Sequence, residues 1–147
     1  MKITSKSVEA MQQIGTQIGK QVKSGDVVVL TGELGAGKTV LTQGIGSVFG
    51  VENITSPTFV ISRIHKGNPN FIHIDAYRLL DTGVSAFADL DFETYLSNSV
   101  FVIEWGKNFV SQLSDQYLDI KISSTENESE RVLEISGVGD RWAGFKL

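Results

Sequence analysis

Residues 32–39 have the sequence Gly-Glu-Leu-Gly-Ala-Gly-Lys-Thr, which matches the phosphate-binding loop pattern G-x-x-x-x-G-K-[ST] without a gap. The pattern indicates a phosphate-binding loop only where it follows a strand and precedes a helix. The apolar run at 26–31 predicts a buried strand just before it, and residues 38–49 predict a helix just after it. The motif therefore lies in the strand–loop–helix context that it needs, and it predicts an α/β fold.

The residue types in this loop suit a bound polyphosphate. Glycines at positions 32, 35 and 37 let backbone N–H groups turn inward around an anion at the positive end of a helix. Lys38 brings a positive charge to the β- and γ-phosphates, and the Thr39 hydroxyl is a suitable ligand for Mg²⁺. A glycine-rich turn that binds nothing is the alternative, and it is disfavoured because the pattern is complete and correctly placed. The predicted nucleotide-binding residues are Glu33, Leu34, Gly35, Ala36, Gly37, Lys38, Thr39 and Val40.

Composition places the chain among ordinary globular proteins. Its 147 residues, 41% hydrophobic and 20% charged, predict a single domain over residues 1–147. The absence of cysteine excludes disulfides and thiolate metal sites and fits a cytoplasmic location. No apolar run has the length of a membrane span, so no membrane partner is expected. The net charge is −4 and the basic residues are scattered, which argues against direct binding to nucleic acid.

The remaining pattern predicts a mixed sheet of the P-loop NTPase type, flanked by helices and carrying antiparallel hairpins at the edge. Asp91 is a candidate cap for a short helix that begins at Phe92. The predicted elements are a helix at 7–22, a hairpin of strands at 59–65 and 71–75, helical pieces within 79–98, a buried strand at 99–105, and a final hairpin from 117 to 135.

A nucleotide site also needs an acid near the phosphates, to hold Mg²⁺ or its waters. Asp75 ends the apolar run at 71–74, and Glu104 ends the run at 100–103 in what looks like a Walker B position with Glu in place of Asp. We expect both acids, with Thr31, at the carboxyl ends of parallel strands, where α/β proteins bind phosphates. The alternative for either acid is a solvated carboxylate at a strand end.

Other residues near the predicted site have weaker signals. Residues 55–58 lie where nucleotide-dependent proteins carry switch segments, whose hydroxyls sense a γ-phosphate; an ordinary Ser-Pro turn is the alternative. Arg78 could screen a phosphate, meet a protein partner or form a surface ion pair. His73 is predicted to be a hydrogen-bonded strand residue rather than a metal ligand, because it has no partner at ligand spacing. Trp105 is a candidate reporter of the site.

Two motifs that the sequence lacks bear on which nucleotide it binds and on whether it is a kinase. The chain has no guanine-reading [NT]-K-x-D motif, which favours ATP over GTP. Its arginines, at positions 63, 78, 131 and 141, are not clustered, so the arginine-bearing lid of a small-molecule kinase is not visible.

Four segments together resemble the TsaE (YjeE) family: GELGAGKT at 32–39, TSPTF at 55–59, HIDAYRL at 73–79 and IEW at 103–105. Their order and spacing agree with that family. Its members are small bacterial ATPases required for the threonylcarbamoyl modification of adenosine 37 in tRNA. They act with TsaB and TsaD, which form the transferase, whereas the separate enzyme TsaC makes threonylcarbamoyl-adenylate.

The resemblance implies roles for individual residues here. Gly35, Gly37, Lys38 and Thr39 would bind the phosphates and Mg²⁺ of ATP. The implied catalytic residues are Asp75, Glu104 and Thr58, and the implied metal ligands are Thr39, Glu104 and Asp75. Which of the two carboxylates serves the metal and which the attacking water stays open. The chain departs from the family at Ala76 and at 106–107, where it has Gly-Lys.

The resemblance also implies TsaB and TsaD as partners, with tRNA contacted only indirectly. The leading hypothesis is an ATPase that regulates or resets the transferase. A nucleotide-dependent binding module whose hydrolysis is incidental is the second hypothesis, and a small metabolite kinase is the third.

Overall fold

Seven strands form one mixed sheet in the computed structural model, which describes residues 1–57 and 61–147. The strands are Lys2–Ser5 (β1), Val27–Thr31 (β2), Ser62–His65 (β3), Asn70–Asp75 (β4), Ser99–Glu104 (β5), Tyr117–Ser124 (β6) and Arg131–Val138 (β7). The α-helices are Val8–Gly19 (α1), Lys38–Ser47 (α2) and Val84–Ala88 (α3). Segments of 3₁₀ helix cover Tyr77–Leu79, Phe92–Asn98, Val110–Gln112 and Asp140–Trp142.

The strand order is β1-β7-β6-β2-β5-β4-β3. The four central strands, β6, β2, β5 and β4, are parallel, and β3, β7 and β1 pair antiparallel with their neighbours. The predicted mixed sheet and its two hairpins are therefore confirmed. Strand β1 was not predicted; it lies beyond β7 and is the outermost strand on that side.

Both faces of the central strands are covered. Helices α1 and α2 pack on the face that includes Val28, Leu30 and Val102, and α3 with the 3₁₀ segments at 77–79, 92–98 and 110–112 covers the face that includes Val29 and Ile103. Strands buried on both sides have continuous apolar sequences, which explains the runs at 27–30 and 100–103. Because side chains alternate along a strand, Glu104 lies on the same face as Val102, the face that α2 covers.

The two long helices end earlier than predicted. Helix α1 begins at a Ser7 cap, whose Oγ accepts the backbone N–H of Ala10 at 3.0 Å, and ends at Gly19 rather than residue 22. Helix α2 ends at Ser47 rather than residue 49. In both cases the next residues form tighter i to i+3 bonds, and Gly50, with φ of 74°, takes the predicted capping position after α2. None of the helices in the described parts of the chain is long and apolar enough to cross a membrane.

The region 79–98 is helical in pieces, as predicted, and the first 3₁₀ segment begins two residues earlier, at Tyr77. Asp91 directly precedes the 3₁₀ segment at Phe92, but the prediction that it caps this segment is wrong. Its backbone is left-handed, with φ of 57°, and its side chain makes no capping hydrogen bond. A side-chain cap requires extended backbone at that position.

Candidate nucleotide-binding site

The loop at 32–37 connects the end of β2 to the start of α2, as the motif predicts. Gly35 and Gly37 have φ of 80° and 108°, values that residues with a side chain rarely adopt. Gly32 is required for space, since a Cβ there would lie 2.9 Å from the Ile122 carbonyl oxygen and 3.1 Å from Ala36 Cβ. The glycines are therefore explained by the loop's geometry, and Leu34 at its tip is fully exposed.

Lys38 lies in the first turn of α2 and folds back over the loop. Its ammonium group donates to the carbonyl oxygen of Gly32 and, at 3.5 Å, to that of Glu33. Nζ also lies 4.9 Å from the centroid of the Trp105 ring, a cation–π distance. The charge is thus held at the loop by neutral partners, which a phosphate would replace with a stronger, charge-assisted contact.

Asp75 and Glu104 lie side by side at the ends of β4 and β5. They are paired in the strand register, and Glu104 is also paired with Leu30 of β2, one residue before Thr31. The predicted convergence of these strand ends is confirmed. Both carboxylates are buried, with 6% and 3% of their surfaces exposed, so neither is the solvated side chain of the alternative hypothesis.

Each carboxylate has a defined hydrogen-bond partner. Asp75 Oδ1 accepts the backbone N–H of Tyr77 at 3.0 Å, which starts the 3₁₀ turn that follows β4. Glu104 Oε2 lies 2.7 Å from Nε2 of His73. His73 is fully buried and lies on β4, two residues before Asp75. The prediction of His73 as a hydrogen-bonded strand residue is confirmed. The sequence did not indicate that its partner is Glu104.

Trp105 is held in an unusual backbone conformation beside these groups. Its φ is 58°, its N–H donates to the Leu30 carbonyl oxygen at 2.7 Å, and its ring lies 5.5 Å from that of Tyr77. Left-handed backbone at a bulky residue costs about 1–3 kcal/mol and persists where surrounding contacts enforce it. The ring therefore lies between Lys38 and the exposed Tyr77. That this position marks the mouth of a nucleotide site stays a prediction.

The remaining predicted positions have mixed outcomes. Thr58 lies outside the described residues. Residue Ile54, which leads into that segment, is buried and its carbonyl oxygen accepts the Gln43 amide of α2 at 3.0 Å. Arg78 is exposed in the turn after Asp75. Thr39 and Val40 lie in the first turn of α2 and are partly buried.

The departure at 106–107 places a basic side chain next to β6. Lys107 is exposed and its Nζ lies 3.8 Å from Asp119 Oδ2, near the start of β6. The charge of Lys107 is therefore paired with an acid on β6.

A cleft of about 200 Å³ adjoins the loop and was not predicted from sequence. The N-terminal end of α1 and Ser129 with Arg131 of the β6–β7 hairpin line it, together with Gly35 and Gly37. Arg131 Nη2 donates to the Gly35 carbonyl oxygen at 3.3 Å across a separation of 96 residues. No local signal could have indicated Arg131, since only folding brings the final hairpin against the loop.

The candidate site carries oxygen donors of the kind that bind Mg²⁺ beside a nucleotide. Among the residues that the structure describes, no three His, Cys, Asp or Glu side chains form a metal-binding group. Mg²⁺ in nucleotide sites is normally held by one or two protein oxygens plus phosphates and waters. Thr39 at the start of α2 and the adjacent carboxylates at the ends of β4 and β5 are oxygen donors of this kind, so the residues fit the ion.

A sequence profile described as "Threonylcarbamoyl adenosine biosynthesis protein TsaE" matches residues 5–133, most of the chain. The chain belongs to the TsaE family. A Streptomyces coelicolor protein named tRNA threonylcarbamoyladenosine biosynthesis protein TsaE is 42% identical over 140 residues, covering 90% of this chain and 94% of the relative. A Bacillus subtilis protein of the same name is 35% identical over 123 residues, covering 82% and 75%.

The fold of this TsaE-family chain also matches a solved structure. The crystal structure of Bacillus subtilis YdiB superposes with a TM-score of 0.79 at 29% sequence identity, covering 97% of this chain and 88% of YdiB. The α/β P-loop fold is therefore established by the sheet and by this similarity.

Proposed function

We propose that this chain is an ATP hydrolase that serves the threonylcarbamoyl modification of adenosine 37 in tRNA. Family membership supports a role in the synthesis of that modification. The observation that carries hydrolysis is the approach of two buried acids, Asp75 and Glu104, to the strand end that leads into a complete phosphate-binding loop. Residues 1–147 act as one domain in this proposal, because all seven strands share one sheet.

The triphosphate lies along the loop and the first turn of α2. Backbone N–H groups of residues 33–40 and the N-terminal end of α2 supply the anion nest, and Lys38 leaves its carbonyl partners to contact the phosphates. The cleft beside Gly35 and Gly37 extends from the loop toward α1 and Arg131 and takes the nucleoside. The absence of a guanine-reading motif favours ATP.

The residues that would hold Mg²⁺ are Thr39 through its hydroxyl and Glu104 or Asp75 through a carboxylate. The bound ion neutralises charge on the phosphate oxygens. The carboxylate that does not serve the ion orients the attacking water, because it lies at the adjacent strand end. Thr58 belongs to the segment that senses the γ-phosphate in this proposal, following the family resemblance.

Isolated protein hydrolyses ATP slowly in this proposal. Arg131 is bound to the loop and hairpin backbone, with Nη1 2.6 Å and 2.8 Å from the carbonyl oxygens of Glu128 and Glu130. Its pattern of contacts is that of a structural arginine, and a transition-state arginine is worth about 10³–10⁵ in rate when a partner supplies it. TsaB and TsaD are the proposed partners, and docking near the exposed Tyr77 and Arg78 would bring them to the site.

Contact with tRNA is indirect. The net charge of −4 and scattered basic residues leave little counterion release to support binding. Because tRNA is modified in the bacterial cytoplasm, the proposal assigns the chain to that compartment.

The test is multiple-turnover threonylcarbamoyl transfer to tRNA with TsaB, TsaD and the threonylcarbamoyl-adenylate supply. We expect turnover to require this chain, and Lys38→Ala to fail where the parent protein succeeds. A non-hydrolysable ATP analogue should support one round only. Equal turnover without this chain would refute the function, and repeated rounds with the analogue would favour a binding module over a hydrolase. Formation of a phosphorylated metabolite instead would identify a kinase.

A further inference from the structure

The buried contact between His73 and Glu104 has no role in the function proposed above. Strand register pairs His73 with Val102, so the Glu104 side chain reaches back along β5 to meet an imidazole on β4. His73 is fully buried and Glu104 is 3% exposed, and Nε2 and Oε2 are 2.7 Å apart. This geometry is that of a short, solvent-excluded hydrogen bond to a carboxylate.

Packing alone does not explain a histidine at this position. Its neighbours on the same face, Phe71 and Val102, are fully buried apolar residues, and an apolar side chain would pack there without polar atoms. Instead, Nδ1 is buried without a hydrogen-bond partner among the residues that the structure describes. A buried polar atom without a partner is unfavourable, so the imidazole's other contact is the one that accounts for its presence.

The contact restricts Glu104. Because a carboxylate only accepts hydrogen bonds, Nε2 is the ring nitrogen that donates to Glu104, and Nδ1 is left without a partner among the described residues. With Oε2 held by His73, rotation of the glutamate side chain is limited and Oε1 is left for a ligand at the strand end. Such outer partners of metal-binding side chains orient the ligand and typically change metal affinity by about 10–100-fold.

We propose that His73 is a positioning residue that orients the Glu104 carboxylate toward the metal–nucleotide complex. The inference rests on the proposed function, in which Glu104 serves Mg²⁺ or the attacking water. It adds a requirement specific to Glu104, because Oε2 of Glu104 is the atom that His73 contacts.

The test compares His73→Met with His73→Gln, which have similar length and differ in the amide. The Gln amide N–H ends close to where the imidazole Nε2 lies, whereas Met has no donor. Affinity for AMP-PNP is measured by calorimetry in EDTA and in excess Mg²⁺, and the ratio of the two affinities reports the contribution of the ion without any turnover. We expect His73→Met to lower this ratio by about tenfold with unchanged affinity in EDTA, and His73→Gln to restore most of it.

A ratio for folded His73→Met equal to that of the parent would overturn the proposal, as would equal losses in Met and Gln. If Met does not fold, His73→Asn replaces it, because its shorter amide is equally polar but cannot reach Glu104. Loss in Asn with retention in Gln supports positioning, and equal ratios in the two refute it. Failure of the parent to hydrolyse ATP with its partners would refute the proposed function separately, since the affinity ratio does not depend on hydrolysis.

Discussion

Gly15 of α1 and Gly44 of α2 bring the two helices into backbone contact, since a Cβ on either residue would lie 2.9 Å from the Cα of the other. Helix α2 carries Lys38 and Thr39 in its first turn, so this contact fixes the helix that presents the proposed phosphate-binding residues. A methyl group here would meet rigid backbone, including the Gln12 and Leu41 carbonyl oxygens, rather than a flexible side chain.

Gly44→Ala should therefore destabilise the protein although alanine is the better helix former. Overpacking typically costs about 1–3 kcal/mol, more than the helix propensity gained, about 1 kcal/mol. Urea unfolding measures the change. Gln13→Ala, on the exposed face of α1, is the matched control and should be neutral or slightly stabilising. A Gly44→Ala protein as stable as the parent would contradict the close contact.

Lys38→Ala should weaken ATP binding by about 1.5–3 kcal/mol, or about tenfold to a hundredfold, because a charge-assisted phosphate contact is lost. The fold should persist, since Lys38 is only partly buried and its contacts are with the loop itself. Calorimetry with ATP gives the affinity, and Lys20→Ala is the control at an exposed lysine after α1. Unchanged affinity in the folded variant would rule out the phosphate-loop assignment.

Asp75→Asn and Glu104→Gln should lower ATP turnover more than nucleotide affinity. Lys38 and the loop backbone supply most ground-state binding, whereas the carboxylates act on the metal and the water. Amides are the sharper test because alanine at Glu104 would also leave His73 buried without its partner. Steady-state kinetics of both variants, read beside their ADP affinities, provides the measurement. Parent-like turnover in both would remove these acids from the site.

Trp105 should change its fluorescence when nucleotide binds, because Lys38 must leave its position 4.9 Å from the ring centroid to reach the phosphates. Trp142 is the only other tryptophan and is replaced by Phe so that one emitter remains. Trp142 is buried at 3% exposure, so the replacement is kept aromatic. A flat titration with saturating ADP would show that Lys38 does not exchange partners as described.

His65 should make stability depend on pH. Burial lowers its pKa below 6.5, and Coulombic interactions with His73 and Arg63 lower it further. A lowered histidine pKa means that the unfolded chain binds the proton first, so stability is lost as the pH falls below the unfolded value of 6.5 toward the folded pKa. Urea midpoints at about pH 7.5 and about pH 5.5 should differ less in His65→Gln than in the parent. Equal differences would contradict the burial of this imidazole.

The sequence predicted the local elements well where a short-range signal, such as an apolar run or a turn, dominates a segment. The buried strand at 99–105 and the hairpin of β3 and β4 were recognised because apolar runs and the turn at 66–70 are short-range signals. Strand β1 was missed because its four residues alternate in burial only through pairing with β7, more than a hundred residues away. Helix ends were misjudged by two or three residues because i to i+3 bonds, not composition, close those turns.

The candidate nucleotide-binding site shows the same division between features that short-range sequence signals predict and features that depend on contacts between distant residues. The sequence alone predicted the phosphate-binding loop, its lysine and threonine, and the two acids that end strands, because each depends on residue types at fixed spacing. Only the tertiary structure decided that Glu104 contacts His73, that Trp105 lies beside Lys38, and that Arg131 reaches the Gly35 carbonyl oxygen. These contacts join residues far apart in the chain, and strand register and helix packing, which no local pattern encodes, bring them together.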